Sequence, residues 1–174
     1  MSRGVLGLVA AAGGGVDSRL RLEVAVPGAR RGWRLAITFT PTAGRWMEAA
    51  GETARLRSLT DLPVRVESRL PSEPKPYPMP DAFLFVPATA NSLAKLALGI
   101  ADNQALTSLG EALGTRAVPV VIRPQADVGQ RGHPKWESHL DTLLAAGAHI
   151  ADGPVGDPWE PLLDLVDAVM KVPR

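Results

Sequence analysis

Short apolar runs separated by helix-length amphipathic segments constrain this chain more than any other feature. The runs are Val5–Ala12, Leu35–Phe39, Val64–Val66, Ala82–Val86, Val118–Ile122 and His149–Ile150. Each has strand length and little polar alternation, the pattern of strands covered on both faces. Between them, helical periodicity predicts Ala43–Leu59, Ser92–Leu98, Asn103–Leu113, Pro134–Ala146 and Glu160–Val172, with Gly99, Gly114 and Gly147 at left-handed caps. Strand and helix in alternation predict an α/β fold, a doubly wound parallel sheet with helices on both faces. The 174 residues suit a single domain spanning 1–174.

Two stretches interrupt the pattern. Arg19–Val26 alternates polar and apolar residues like a strand, yet lies where a doubly wound fold needs a crossover helix. Helix is the preferred reading and strand the alternative, with Pro27-Gly28 ending or kinking it. Leu70–Pro80, "LPSEPKPYPMP", holds five prolines and is expected to be an extended arm, either a stiff surface loop or a strap across a neighbouring subunit or a site mouth.

Charge and composition narrow the partners. With 19 basic and 18 acidic residues the net charge is +1, which gives no field to recruit nucleic acid or an anionic membrane. There is no cysteine, hence no disulfide, thiolate metal site or cysteine nucleophile. Val5–Ala12 is too short to span a bilayer and lacks a signal-peptide pattern, so a cytoplasmic protein is expected. No metal is expected.

Open parallel sheets bind ligands beyond the carboxyl ends of their strands. After the first strand, Ala12-Gly13-Gly14-Gly15 lets backbone amides approach a phosphate. After the second, Thr40-Pro41-Thr42-Ala43 brings hydroxyls to a helix start, Thr42 being readable as an N-cap or as a phosphate ligand. After the fourth, Thr89, Ala90, Asn91 and Ser92 present more polar groups than one cap requires. In "GHPKWESH", His133 reads as a turn residue or as a partner of Asp127, and His139 as a helix-surface residue. Trp46, Trp136 and Trp159 read as packing residues, and Arg123 and Arg131 as solvated residues or carboxylate ligands.

These residues carry a family resemblance. Pro87-Ala88-Thr89-Ala90-Asn91-Ser92 and the following Lys95, Ala97, Gly99, Asp102 and Asn103 resemble the "PASANT" and "K-x-A-x-G-x-x-D-N" motifs of the homo-oligomeric flavin-containing cysteine decarboxylases. Thr40-Pro41-Thr42-Ala43 is similar to that family's "T-P-S-A", and Pro124, Gly132 and Pro134 keep the spacing of its substrate-recognition segment. The resemblance implies a Rossmann-like (flavodoxin-like) fold binding FMN between subunits of a homotrimer or homododecamer. It also implies that Ala12, Gly13, Gly14 and Thr42 hold the phosphate while Thr89, Ala90, Asn91 and Ser92 line the flavin, with Thr40 a further cofactor-binding residue. Asp102 is either a further cofactor contact or the cap of the next helix.

The chain departs from that family at its catalytic positions. The decarboxylases place a His before the strand leading to "PASANT"; Pro71–Pro80 has none, Glu73 and Tyr77 being the nearest polar residues. The "P-x-M-N-x-x-M-W" segment reads Pro124-Gln125-Ala126-Asp127-Val128-Gly129-Gln130-Arg131, with Asp127 for the Asn. The Cys used as an acid in the coenzyme A pathway is missing, so that role is not expected. The expected function is FMN-dependent oxidative decarboxylation of a Cys-ending precursor peptide, with Asp127, Asn91 and His133 as the catalytic candidates. The alternatives are a non-catalytic FMN-binding accessory protein and another FMN enzyme, such as a prenyl-flavin synthase or flavin reductase.

Overall fold

The computed structural model describes residues 3–171; Val172, the expected end of the last helix, lies outside them. Its six strands are β1 (Gly4–Ala10), β2 (Trp33–Phe39), β3 (Val64–Arg65), β4 (Ala82–Thr89), β5 (Val120–Gln125) and β6 (His149–Ile150). They form one parallel sheet in the order β3-β2-β1-β4-β5-β6. This is the Rossmann order, in which the winding direction reverses between β1 and β4 and opens a crevice at their carboxyl ends.

Alternate residues of the central strands feed two cores. Leu6, Leu8 and Leu84 face one side with Leu20, Met47, Trp159 and Leu163, while Val9, Phe83 and Phe85 face the other with Leu93, Leu109 and Trp136. A strand buried on both faces must be apolar throughout, which is why β4 reads as a continuous run. Fully burying Phe85 alone is worth roughly 1.5–3 kcal/mol.

Arg19–Val26 is helical. One continuous helical run comprises α1 (Val16–Leu20), a π-helical turn (Arg21–Ala25) and α2 (Val26–Arg30). The Val26 N–H reaches back five residues to Arg21 O, and this wider turn stands just before Pro27, which has no N–H to give. The expected Ala43–Leu59 helix is two, α3 (Pro41–Ala49) and α4 (Glu52–Arg57), separated at Gly51 with φ 69°.

Beyond β4 come α5 (Ala90–Ala97), α6 (Gln104–Thr115), α7 (Val128–Arg131), α8 (Trp136–Ala145) and α9 (Leu162–Val169). Gly99 and Gly147 have the expected positive φ, but Gly114 lies inside α6, whose left-handed cap is Arg116 at φ 53°.

The sequence places two strand ends too early. β4 continues through Pro87 to Thr89, because Pro87 O accepts the Ala11 N–H from the neighbouring loop. β5 starts at Val120 rather than Val118 and carries on through Arg123-Pro124-Gln125. The proline-rich segment is largely exposed, but Tyr77 anchors it against Val5, Ala36 and Leu62, its hydroxyl 3.3 Å from Thr38 Oγ1.

Candidate functional site

At the carboxyl end of β1 the chain enters Ala11–Gly15, where Gly14 (φ 58°) and Gly15 (φ 76°) are both left-handed, a conformation that side chains resist. The loop carbonyls turn into the protein. Gly13 O accepts from Val16 N–H at 3.0 Å, and Gly15 O from Ser18 and Arg19 N–H at 3.0 and 2.9 Å. Gly14 O accepts from Arg19 Nη1 at 3.2 Å. Among the described residues the N–H groups of Ala12, Gly13, Gly14 and Gly15 have no protein acceptor. Carbonyls in and amides out is the arrangement that favours an anion.

The loops after β2 and β4 complete a cavity of about 420 Å³, lined by Ala12, Thr40, Pro41, Thr42, Thr89, Asn91, Ser92, Lys95, Asp102, Asn103 and Gln130. Its size falls within the range of small-molecule and cofactor pockets. Thr40, not Thr42, is the N-cap residue of α3; it is only 7% exposed, and its side chain makes no capping bond. Thr42 is therefore not the cap, and Arg45 Nη2 donates to its hydroxyl at 3.4 Å. At the start of α5, Thr89 Oγ1 accepts the Ser92 N–H at 3.4 Å and donates to Ser92 Oγ at 3.2 Å, which accounts for two of the polar groups locally. The Asn91 amide has no protein partner among the described residues.

Asp102 also faces this cavity and is not a cap: Asn103 caps α6 by accepting the Leu106 N–H at 3.0 Å. Lys95 Nζ donates to Asp102 at 2.5 Å, a hydrogen bond that holds the Asp102 carboxyl below the usual carboxylate range. Gly13 and Gly14 do not themselves line the cavity: a Cβ on Gly13 would stand 3.2 Å from Cγ2 of Thr89, which does, and one on Gly14 2.8 Å from Gln125 Oε1.

The candidates from the β5 side do not share this cavity. Asp127 caps α7, its Oδ1 accepting the Gln130 N–H at 2.8 Å while Gln130 Oε1 accepts the Asp127 N–H at 3.1 Å. It lines a separate crevice with Arg131 and Asp152. His133 and Ala90 line a third, apolar cleft of about 210 Å³ with Trp136 and His139. Of the two readings of His133, a turn residue or a partner of Asp127, the structure shows no bond to Asp127 among the described residues: His133 Nδ1 accepts the Lys135 N–H at 3.1 Å. Gln130 lies on both the polar cavity and the apolar cleft, so it joins the two sides.

Neither arginine is a free carboxylate ligand. Arg131 grips Asp152 through two bonds of 2.8 Å, which hold the Asp152 carboxyl below its ordinary range. Arg123 is not solvated but 7% exposed, donating to Ala151 O at 3.0 Å and Pro154 O at 2.8 Å. Trp136 and Trp159 are core residues, whereas Trp46 is 46% exposed and does not pack as expected. The sequence reading missed Gln130 at the site, although D-x-x-Q, Asp127 to Gln130, is a capping-box signature.

Comparison with known proteins agrees with this geometry. Residues 37–171 match the Flavoprotein family. A curated relative, a cysteine/cysteine sulfinic acid decarboxylase of an unknown prokaryotic organism, is 43% identical over 77 residues. These cover 44% of this chain and 20% of that protein, so the match spans about a fifth of the relative's length. The FMN-dependent cysteine decarboxylase TvaF of thioviridamide biosynthesis superposes with TM-score 0.76 at 21% identity, over 98% of this chain and 100% of TvaF. HAL3 from Cryptococcus neoformans gives 0.71 at 18% identity, over 95% of each chain. These two likenesses establish a shared fold. With more than half its length matched, the chain belongs to the Flavoprotein family.

Proposed function

We propose that this chain binds FMN and uses it for oxidative decarboxylation of the C-terminal cysteine of a precursor peptide, working in the cytoplasm as one domain within a homotrimer or a multiple of it. One observation carries the reading. The switch-point cavity joins Ala12, at the head of a glycine loop whose N–H groups have no protein acceptor among the described residues, to the unspent Thr40 hydroxyl and Asn91 amide, which suit a phosphate and a planar polar ring. Ala12, Gly13, Gly14, Thr40 and Thr42 are the residues for the phosphate, and Thr89, Ala90, Asn91 and Ser92 those for the ring. The cysteine decarboxylase names of TvaF and of the curated relative support the same chemistry.

Bound FMN supplies a two-electron oxidant. The balanced change converts a terminal cysteine to an enethiol, releasing carbon dioxide as two electrons and two protons pass to the cofactor. The chain's part is to orient the thiol and accept its proton. Asp127 is the candidate acceptor: Oδ1 is committed to the α7 cap, Oδ2 is left over, and Gln130 links it to the cavity. A carboxylate about 4 Å from the substrate carboxylate meets a repulsion of roughly 4 kcal/mol at moderate dielectric, so turnover is expected to be slow or confined to one well-held peptide. His133 beside the apolar cleft is a candidate for orienting the peptide.

The purified protein is expected to be yellow and to release FMN on denaturation. A Cys-ending peptide should lose about 46 Da, carbon dioxide plus two hydrogens. Light scattering should give three subunits or a multiple; a monomer at micromolar concentration rejects the assembly. A protein that stays colourless with added FMN rejects the reading outright.

A second reading, an FMN-binding accessory protein, is favoured by the engagement of Asp127, Arg131 and Asp152 in local structure. Bound FMN with every Cys-ending peptide left unchanged selects it.

A further inference from the structure

We propose that Arg19 is a positioning residue that makes the site select a phosphorylated flavin over the unphosphorylated one, by holding the Gly14–Gly15 peptide with its amide outward. This rests on the FMN reading above.

Arg19 projects from α1 and makes four side-chain hydrogen bonds. Its Nε and Nη2 donate to Glu23 Oε1 and Oε2 at 2.7 and 2.9 Å, Nη2 also donates to Asp157 O at 2.6 Å, and Nη1 donates to Gly14 O at 3.2 Å. Its guanidinium lies 4.0 Å from the ring centre of Trp159, a residue 1% exposed. Glu23 is fixed in turn, accepting the Trp159 N–H at 2.8 Å. The fork is therefore anchored to the segment after β6 before it reaches the glycine loop.

Gly14 O differs from its neighbours. Gly13 O and Gly15 O are satisfied by backbone N–H groups that the helix start supplies whatever the side chains. Among the described residues Gly14 O is held by Arg19 alone. In a planar trans peptide the C=O and the next N–H point in opposite directions, so pulling Gly14 O toward Arg19 turns the Gly15 N–H away from it. Both glycines are free to rotate, and without the fork this peptide has little to stop it flipping its carbonyl toward the anion. Glu23 neutralises Arg19, so the contribution is one of geometry rather than net charge. Lysine, with three donors on one nitrogen, cannot reproduce the four bonds that the planar fork sends to Glu23, Asp157 and Gly14.

The test measures dissociation constants of FMN and riboflavin for the full chain, as parent, Arg19→Gln and Arg19→Lys. The parent should prefer FMN. In both variants FMN affinity should fall about tenfold or more, the scale of one hydrogen bond to a charged group, with riboflavin affinity unchanged. Unchanged riboflavin binding also reports that the variants are folded. Parallel loss of both ligands, or a ratio unchanged in either variant, overturns the proposal; retention by Arg19→Lys would assign the effect to charge. A parent that binds neither flavin overturns the FMN reading itself and this inference with it, a result separable from a parent that binds both equally.

Discussion

The two ends of the candidate site treat their polar groups in opposite ways. Around the β1–β4 switch point, the loop amides, the buried Thr40 hydroxyl and the exposed Asn91 amide are not consumed by the protein among the described residues. Beyond β5, Asp127 is spent on a capping box, Arg131 on Asp152, Arg123 on loop carbonyls and His133 Nδ1 on a backbone amide. A polar group with no protein partner can bond a ligand without first giving up an internal hydrogen bond, itself worth about 0.5–1.5 kcal/mol net. On the proposed reading, the first end is where the cofactor would bind. At the second, Asp127 Oδ2 is the carboxylate oxygen of the α7 cap left without a hydrogen bond among the described residues.

The largest effect should come from that atom. Asp127→Asn keeps the cap, since Asn serves as well as Asp at this position, but removes the proton acceptor. Turnover of a Cys-ending peptide should fall about a hundredfold or more with FMN still bound, the range of general-base loss. Unchanged or faster turnover would break the contrast by making the β5 end a relic. Next is Gly14→Val, which places a β-branched residue at φ 58° with its Cβ 2.8 Å from Gln125 Oε1. FMN affinity should drop by roughly tenfold to a hundredfold at a stability cost of about 1–3 kcal/mol, read by flavin fluorescence and urea unfolding.

The same contrast explains what the sequence made visible. β1, β2 and β4 are legible because a strand covered on both faces has to be apolar, and Ala12–Gly15 is legible because a close-approach loop has to lack side chains. β5 is misread because Arg123-Pro124-Gln125 looks like a turn. Its continuation depends on Arg123 bonding to carbonyls 28 and 31 residues away, which no local pattern encodes. The extra residues of β4, Pro87 to Thr89, depend likewise on Ala11 and Pro87, brought together by sheet pairing. Asp127 and His133, close in sequence, look like a pair; the α7 turn, with its own backbone amides to satisfy, takes Asp127 instead.

Acid should separate the two ends by a smaller margin. The Arg19 hydrogen bonds hold Glu23 below its ordinary value, and Arg131 does the same for Asp152. A carboxylate depressed in the folded state stabilises fully above its unfolded value, about 4.3 for Glu, and loses that contribution as pH falls through the folded value. Glu23→Gln should therefore cost about 1 kcal/mol near pH 7, a penalty that begins to shrink as pH falls below about 4.3 and is gone only below the depressed folded value in urea unfolding. A penalty independent of pH would show that Glu23 acts through packing against the Trp159 segment rather than through its charge.

The smallest effect is expected at Arg131. Its bond to Asp152 is bidentate, but the two side chains are 29% and 42% exposed, so solvent screens the pair. Its guanidinium also lies 5.3 Å from the ring centre of Trp136, a contact that an ammonium keeps in weaker form. Arg131→Lys should cost under about 1 kcal/mol of stability and leave FMN affinity unchanged. The measurement that sharpens the contrast is the peptide KM. If Arg131 is committed to Asp152, KM should stay within about twofold of the parent, because no interaction with the substrate carboxylate is lost. A rise of about tenfold with kcat unchanged would mean that Arg131 exchanges Asp152 for the substrate carboxylate when the peptide binds. The β5 end would then be a binding surface held shut by its own ion pair, and the division between an unspent end and a spent one would apply only to the free protein.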